Sequence, residues 1–358
     1  MNALKQLKYF LLGFGLLFFC CTSAWAQAKK KKELPPYNDS SYYVYFPRSV
    51  TGRIFFSQKY LDFTSIVKNQ RDLKYKANTS SNLGIGFTWH NLSANFAYGF
   101  GIGKQKNESK GKTKYLDVQL HFFEPKWAND VYAQSYKGYH LSPKGFVAPA
   151  GSEYYYRPDM KVNLFGASRY RVFNSRRFSY RAAFIQNEWQ KKSAGSFLLG
   201  GEAYYGMIKA DSILFPRTST EVGSQDLINK INYLSIGPGA GYAYTLVMFE
   251  HFFITGTLTA NLNISYTTEH AAEKKANRFS FQPLTSFRVA AGYNSRRWSV
   301  SATWMDANLP FNGKAPENRY VMNTGNYRLI VARRFLPGKK LKKHLRKMEK
   351  EMKNATTI

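Results

Sequence analysis

The sequence predicts an all-β fold, a single-domain antiparallel transmembrane β-barrel, and three observations support this prediction. The first is a long hairpin over residues 233–266, in which apolar and small polar residues alternate. The second is an export leader at the start of the chain. The third is that no later stretch has the 18 or more apolar residues expected of a membrane helix. A water-soluble β-sandwich is the alternative for the hairpin alone.

The hairpin carries the strongest pattern in the chain. In its second strand, Leu258 and Leu262 fall on one face, and Thr257, Thr259 and Asn261 fall on the other. Successive side chains of a strand point to opposite faces, so this alternation indicates β-structure. Each strand exceeds the roughly 9–11 tilted residues that cross a bilayer. A small-polar face opposite an apolar face with aromatic ends is typical of a wall between lipid and a wet lumen.

The leader predicts export. Basic residues precede an apolar run from Tyr9 to Cys20, and Ala24-Trp25-Ala26 supplies small residues for a signal peptidase. We therefore expect residues 1–26 to be a cleavable signal peptide and the mature chain to begin at Gln27. Phenylalanines just before Cys20 and Cys21 argue against a lipoprotein. Both cysteines of the chain lie in this leader, so the mature chain would form no disulfide.

Composition and charge narrow the class of protein. Aromatic residues make up 17% of the chain, with 26 Tyr and 28 Phe, enough for two interfacial girdles. The net charge is +30, and removal of the two leader lysines leaves +28. Nucleic-acid binding is one interpretation of such a charge, but the phosphates of membrane lipids attract basic residues equally well. We therefore expect outer-membrane lipids, lipopolysaccharide and the barrel-assembly machinery as partners, and no nucleic acid; the oligomeric state is left open.

The chain divides into four parts. After the leader, residues 27–50 form a basic linker that we expect in the periplasm. Residues 51–335 hold the strands of the barrel, and residues 336–358 form a basic periplasmic tail. The apolar residues of this tail have the spacing of a short amphipathic helix, and a disordered tail is the alternative.

The strand number follows less directly. Thirteen candidate strands can be counted, including a doubtful one at Gly52–Leu61 that Lys59 and Asp62 interrupt. Among the others we expect a hairpin of Val162–Phe173 with Phe178–Asn187. Barrels made of one bacterial chain have even strand numbers. Leaving the doubtful strand out of the wall gives about twelve strands, which we prefer, and a hidden strand near residues 190–230 would give fourteen.

Seven polar residues of the strands are candidates for the lumen. Their positions alternate with apolar ones, and they comprise Asp117, Gln119, His121, Arg181, Glu202, Asn261 and Asn263. Polar side chains inside a barrel mostly join hydrogen-bonded networks. We expect Arg181, Asp117 and Glu202 to form salt bridges that stiffen the wall.

Catalysis and metal binding have little support in the sequence. Asp117 and His121 lie four residues apart on one strand face, which is roughly 13 Å and too far for a hydrogen bond. A nucleophilic serine would have to come from another strand. The six His residues show no ligand spacing, and no Cys pair exists outside the leader. We expect no catalytic residues, no cofactor and no metal.

Part of the chain resembles a known family. The run FSYRAAFIQNEWQKKSAGSFLLGG at residues 178–201, together with residues 114–139 and 233–244, is similar to Bacteroidota outer-membrane proteins known only as a domain of unknown function. The resemblance would extend from about Tyr42 to Phe335. It implies an outer-membrane barrel and brings no activity, substrate or site residue.

The sequence therefore predicts an integral outer-membrane β-barrel, exported by its signal peptide, that acts as a narrow channel or as a structural wall protein. Two alternatives stay open. One is an outer-membrane lipid-modifying hydrolase, and the other is a binding protein that uses its surface loops.

Overall fold

The computed structural model describes residues 37–67, 71–89, 92–98, 108–216, 227–271, 274–345 and 347. The expected signal peptide lies outside the described residues, as do most of the linker and the end of the tail. Within the described part of the chain, no helix is both long and apolar enough to cross a membrane.

The described residues form fifteen strands, one 3-10 turn at Glu108–Lys110, one short α-helix between strands and a helical stretch at residues 339–345 after the last strand. The short helix, α1, is Tyr180–Phe184. In chain order the strands are β1 Tyr43–Tyr45, β2 Val50–Val67, β3 Leu73–Ala77, β4 Asn82–Trp89, β5 Leu92–Tyr98, β6 Lys114–Phe123, β7 Trp127–Ser142, β8 Tyr156–Val172, β9 Glu188–Gln190, β10 Ala194–Lys209, β11 Ile228–Met248, β12 Phe252–Ala271, β13 Lys274–Asn294, β14 Trp298–Asn312 and β15 Asn318–Phe335.

Ten of these strands form a closed ring of antiparallel hydrogen-bonded pairs. The ring runs through β2, β3, β7, β8 and then β10 to β15. It closes where β15 pairs with β2, from Phe335 opposite Val50 to Asn318 opposite Val67. The predicted all-β antiparallel barrel is therefore confirmed, whereas the predicted count of twelve or fourteen strands is not.

The two ends of the barrel differ. Three-residue connections at residues 124–126, 249–251 and 295–297 lie at what we call the turn end. The opposite end, which we call the loop end, has the long connections 143–155 and 210–227 as well as shorter ones at 272–273 and 313–317. At the loop end, β3 alone bridges β2 and β7. Towards the turn end, β4 pairs with β2, β5 with β4, and β6 with β7. Among the described residues, no ladder joins β5 to β6, and we call this interruption of the wall the seam.

The doubtful strand at Gly52–Leu61 lies in the wall, so its exclusion was wrong. It is part of β2, which pairs with β15 along its whole length. Lys59 does not break the strand because its Nζ reaches the Asp117 carboxylate at 2.9 Å. Asp62 Oδ1 accepts a hydrogen bond from the backbone N–H of Ala77 at 3.1 Å, where β3 leaves β2. Both polar residues thus have partners that make them compatible with a barrel strand.

The predicted strand Phe178–Asn187 was also wrong, because this segment forms α1. The Ser179 hydroxyl caps the helix by accepting from the Ala182 N–H at 2.9 Å. Tyr180 and Phe184, four residues apart, pack their rings 4.9 Å apart on one helix face. Aromatic residues at every second or fourth position suit either structure, which is why the pattern was ambiguous.

Together with β1 and β9, α1 forms what we call the plug, which fills the turn end of the barrel. Strand β9 pairs with β1 and not with the wall. Two residues of the wall hold the plug: Asn294 Nδ2 donates to the Glu188 carbonyl at 3.0 Å, and Arg334 Nη2 donates to the same carbonyl at 2.9 Å. The interior at this end is a buried apolar cluster of plug and wall residues: Phe123, Ala128, Tyr170, Val172, Phe178, Tyr180, Ala183, Phe184, Ile185, Ala194, Leu198, Ala243, Phe253 and Ala290.

A second apolar core fills the loop end. Its members come from most strands of the ring, and the ring of Tyr233 stacks on that of Phe311 at 4.2 Å. They are Leu61, Phe63, Leu73, Tyr75, Tyr136, Tyr139, Leu141, Met160, Val162, Leu164, Tyr204, Ile208, Ala210, Leu214, Phe215, Ile228, Ile231, Tyr233, Leu284, Leu309, Phe311, Tyr320 and Met322. The expected wet lumen is thus closed by packed side chains at both ends.

The outer surface of the barrel is apolar. Leu258 is 60% exposed and Leu262 is 74% exposed, whereas Thr259 between them is 4% exposed. Aromatic side chains such as Trp298 and Phe335 stand on the same surface near the turn end. Beyond β15, residues 339–345 are helical, and Leu345 packs against Val50 and Trp89.

Candidate lumen site

Between the two apolar cores lies a polar layer, and β7 contributes side chains to all three. Along β7, Tyr136 belongs to the loop-end core, Asp130 to the polar layer and Ala128 to the cluster at the plug. Period-two alternation brings the side chains inward, and the position along the strand decides which layer they reach. The layer contains three buried carboxylates, each with its own set of partners.

Asp117 on β6 is the centre of the first group. Lys59 Nζ lies 2.9 Å from its Oδ1. Gln134 Nε2 and the Tyr136 hydroxyl each donate to Oδ2 at 2.7 Å. The Asp117 side chain is 1% exposed and that of Lys59 is 12% exposed, so this ion pair is almost fully shielded from solvent. Nearby, the amide of Gln119 accepts a hydrogen bond from Asn326 Nδ2 at 2.7 Å.

Asp130 on β7 is the centre of the second group. His121 Nδ1 lies 2.5 Å from its Oδ1, and Arg288 Nη2 forms a short ion pair with Oδ2. The Ser168 hydroxyl also donates to Oδ2, at 3.2 Å. The planar guanidinium contacts both carboxylate oxygens, the geometry that favours arginine over lysine for such pairs.

Glu202 on β10 is the centre of the third group, and its partners are neutral. The hydroxyl of Tyr170 donates to Oε1 at 2.6 Å, and that of Tyr204 donates to Oε2 at 2.9 Å. The Tyr170 hydroxyl also lies 2.8 Å from Asn261 Oδ1. Asn263, two residues further along β12, donates to Ser235 Oγ at 2.9 Å. The structure therefore places these predicted lumen residues in two separate hydrogen-bonded groups.

Arg181 lies in the plug and not in the wall, because the strand that would have carried it is a helix. Its Nε is 3.5 Å from Glu188 Oε1, and its guanidinium stands over the Tyr45 ring at 5.4 Å. Of the three residues expected to form salt bridges, Arg181 pairs with Glu188 and Asp117 pairs with Lys59, whereas Glu202 has neutral partners.

Sequence reasoning missed Lys59, Asp130 and Arg288, which complete these groups. Asp130 has the same parity as Tyr132 and Gln134 on β7, so alternation alone could have identified it. Arg288 likewise alternates with the outward-facing Phe287 and Val289. No signal in the sequence indicates that Arg288 lies opposite Asp130, because β7 and β13 are not neighbours in the sheet.

The arrangement does not form a hydrolytic triad. A serine nucleophile must reach the histidine that takes its proton. Here Ser168 and His121 both bond to Asp130, and the Ser168 hydroxyl donates to the carboxylate. A cavity of about 30 Å³, lined in part by Tyr132, Glu202 and Arg288, lies beside these groups. This volume holds one or two water molecules and no larger substrate.

No set of three or more His, Cys, Asp or Glu side chains that could hold a metal ion occurs among the residues that the structure describes. The absence of a metal or cofactor stays a prediction from the sequence.

The closed antiparallel ring, the apolar outer surface and the aromatic residues on it define the class: this is a β-barrel with the architecture of an integral outer-membrane protein. More particularly, the chain belongs to the family described as Domain of unknown function (DUF4421), whose model matches residues 37–335. The predicted membership in a family known only as a domain of unknown function is thereby confirmed.

Several solved outer-membrane proteins match the chain, each with a TM-score below 0.3. OmpT of Vibrio cholerae is 9% identical, with a TM-score of 0.29 and 82% of this chain and 99% of that chain covered. The toluene transporter TodX of P. putida is 6% identical, with a TM-score of 0.26 and coverages of 82% and 92%. OprG of Pseudomonas aeruginosa is 12% identical, with a TM-score of 0.22 and coverages of 81% and 96%. No curated protein sequence matches the chain.

Proposed function

We propose that this protein is an integral outer-membrane β-barrel with a closed lumen, a membrane-embedded wall or binding protein and not an open channel. The observation that carries the proposal is the packing of the interior. At the loop end, Tyr136, Tyr233 and Tyr320 are at most 1% exposed. At the turn end, the plug stands inside the ring. A water-filled channel would leave such inward-facing side chains exposed.

Export and topology complete the proposal. The signal peptide would be removed before Gln27, and outer-membrane lipids, lipopolysaccharide and the barrel-assembly machinery would be the partners. Short turns of bacterial barrels face the periplasm, so the turn end and the plug would lie on that side. N-terminal sequencing of the mature protein should begin at Gln27, and a diacylated Cys21 would contradict this.

We also propose that the wall functions as twelve strands. Strands β3 and β4 both pair with the same edge of β2 and run in the same direction. They can be counted as one interrupted strand. With β5 and β6 included, the chain then alternates up and down through twelve strands, an even number.

The decisive experiment is conductance in planar bilayers. Purified protein that migrates as a folded, heat-modifiable species should insert without stepwise conductance. Steady channel openings in the wild type would overturn the closed lumen.

Orientation can be tested by single cysteines, because the sequence has no cysteine after the leader. Lys144 lies at the loop end and Arg296 at the turn end, and both are exposed. In intact cells, a membrane-impermeant maleimide should label Lys144→Cys. Arg296→Cys should react only after the outer membrane is permeabilised. The wild type is the control, and the reverse pattern would refute the orientation.

A further inference from the structure

Three buried arginines of the lumen form no ion pair with a carboxylate of the described part of the chain, and one of them, Arg334, is held by backbone carbonyls of the plug instead. The other two have fewer partners. Arg53 on β2 is 5% exposed and Arg328 on β15 is 9% exposed. Neither forms an ion pair with a carboxylate of the described residues, whereas Lys59 and Arg288 each have one. Arginine keeps its proton in proteins, and a buried charge without a counter-charge is costly. A bound anion would therefore compensate the buried charge of these two guanidinium groups.

The contacts of the two side chains leave donors free among the residues that the structure describes. Arg53 Nη2 donates to the hydroxyls of Thr88 and Ser93, the second at 3.3 Å, while its Nε has no partner. The Arg328 guanidinium stands over the Phe55 ring at 4.9 Å, and its Nε has no partner either. Guanidinium groups bind phosphate and carboxylate through two parallel N–H donors.

Strand register brings the two arginines to one region of the wall. Arg328 is directly opposite Ser57, and Arg53 lies four residues from Ser57 on the same face of β2. Both side chains point into the lumen from neighbouring strands, β2 and β15. The hydroxyl of Ser57, directly opposite Arg328, is buried without a hydrogen-bond partner in the described structure, and so is Nε2 of His121 on the lumen face of β6. The region thus contains four groups with unused hydrogen-bonding capacity, two of them cationic.

The seam between β5 and β6 gives access to this region. Arg53 bonds to Ser93 on β5, and His121 stands on the lumen face of β6. Towards the loop end, Lys59 Nζ donates to the backbone carbonyl of Asp117 at 2.9 Å and ties β2 to β6. On the outer surface beside the seam, Phe96 and Leu120 are exposed. At the seam, the lumen region with the two arginines is therefore separated from the apolar outer surface only by strand edges that are not paired with each other.

We propose that Arg53 and Arg328 bind the phosphate or carboxylate group of an amphiphile that enters through the seam, its apolar chain remaining against the outer surface. This rests on the proposed function, since the exterior must face lipid. The two arginines by themselves could bind a free inorganic anion as well as the headgroup of a lipid. The apolar surface at the seam favours a lipid as the carrier of the anionic group.

The test compares dodecyl phosphate, inorganic phosphate and the neutral dodecyl maltoside as probes. Binding to the full mature chain in octyl glucoside is measured by native mass spectrometry and by calorimetry. The variant is Arg53→Gln/Arg328→Gln. The matched control is Arg297→Gln/Arg333→Gln, which removes the same charge from exposed positions at the turn end.

We expect the wild type and the control to bind dodecyl phosphate at least tenfold more tightly than the variant does. They should also bind it at least tenfold more tightly than inorganic phosphate. Equal affinity for both phosphates would overturn the lipid carrier and the entry through the seam. Equal affinity of wild type and variant would overturn the site itself.

A second readout separates binding from folding. Without ligand, the variant should unfold at the same or a higher temperature than the wild type, because it no longer buries unpaired charges. A large loss of thermal stability without ligand would show that the arginines serve the fold and would refute the proposal. Failure of the wild type to fractionate with outer membranes would refute the proposed function instead, and the binding comparison would still stand.

Discussion

Replacement of Asp130 by asparagine should destabilise the barrel strongly. This substitution would keep the shape of the side chain and remove the charge that faces Arg288, whose own side chain is 11% exposed. Removing one partner of a buried ion pair costs about 3–5 kcal/mol, because the other charge stays buried without compensation. This corresponds to roughly two to four powers of ten in the folding equilibrium constant. The bonds from His121 and Ser168 to Asp130 would weaken as well.

The measurement is guanidinium unfolding in detergent micelles, followed by tryptophan fluorescence and by heat-modifiable migration. Asp72→Asn is the control, because its contact with Lys74 is exposed and long at 3.8 Å. Such surface pairs contribute about 0–1 kcal/mol. The double variant Asp130→Asn/Arg288→Met should recover part of the loss, since no unpaired charge remains. The reasoning fails if Asp130→Asn lowers the free energy of unfolding by less than about 1 kcal/mol. It also fails if the double variant loses as much free energy of unfolding as Asp130→Asn and Arg288→Met lose in sum.

Other predictions concern the two faces of the wall. Leu258→Arg puts a charge on the outer surface at mid-strand and should cost roughly 2–4 kcal/mol in lipid vesicles, whereas the exposed Leu336→Arg beyond β15 should change stability little. Thr259→Arg should destabilise the barrel as much as Leu258→Arg does, because the Thr259 hydroxyl is packed 2.7 Å from that of Ser286. A wet lumen would tolerate this variant, so an unchanged unfolding midpoint would show that the lumen is open to water. Gly241→Ala should lower stability by about 1–3 kcal/mol through overpacking, because the added Cβ would lie 2.3 Å from the Leu258 carbonyl oxygen. The control is Gly256→Ala, whose added Cβ meets nothing within 4 Å. Equal midpoints for the two alanine variants would contradict this.

The wall of the barrel was predictable because alternation identifies strands regardless of what lies inside. The hairpin of β11 and β12 is an example, and its pairing runs from Met248 opposite Phe252 to Ile228 opposite Ala271. Alternation cannot distinguish a wet lumen from a packed one, since inward-facing residues are small, polar or aromatic in both. It also cannot distinguish a wall strand from an element inside the ring, and α1 was misassigned for this reason.

The polar layer was predictable only in part. Parity along a strand directs Asp117 and His121 inward, but it does not identify their partners. Lys59 bonds to Asp117 from β2, and Arg288 bonds to Asp130 from β13, a strand across the lumen. Such contacts depend on the size and closure of the whole ring. No local pattern contains that information.

The pairing of β2 with β15 has a consequence for how the chain folds. These are the first and the last strands of the ring, so the interior stays open until the final 18 residues of the barrel have joined. The pairing of β2 with β15, which joins residues far apart in the sequence, must therefore form late. The entropic cost of closing so long a loop makes this step slow. The plug combines β1, which precedes the first wall strand, with α1 and β9 from the middle of the chain, and it has to enter before that moment. Until β15 arrives, β2 and β14 present unpaired edges that are prone to association with other chains. Assembly thus has a fixed order, in which filling of the interior precedes sealing of the wall.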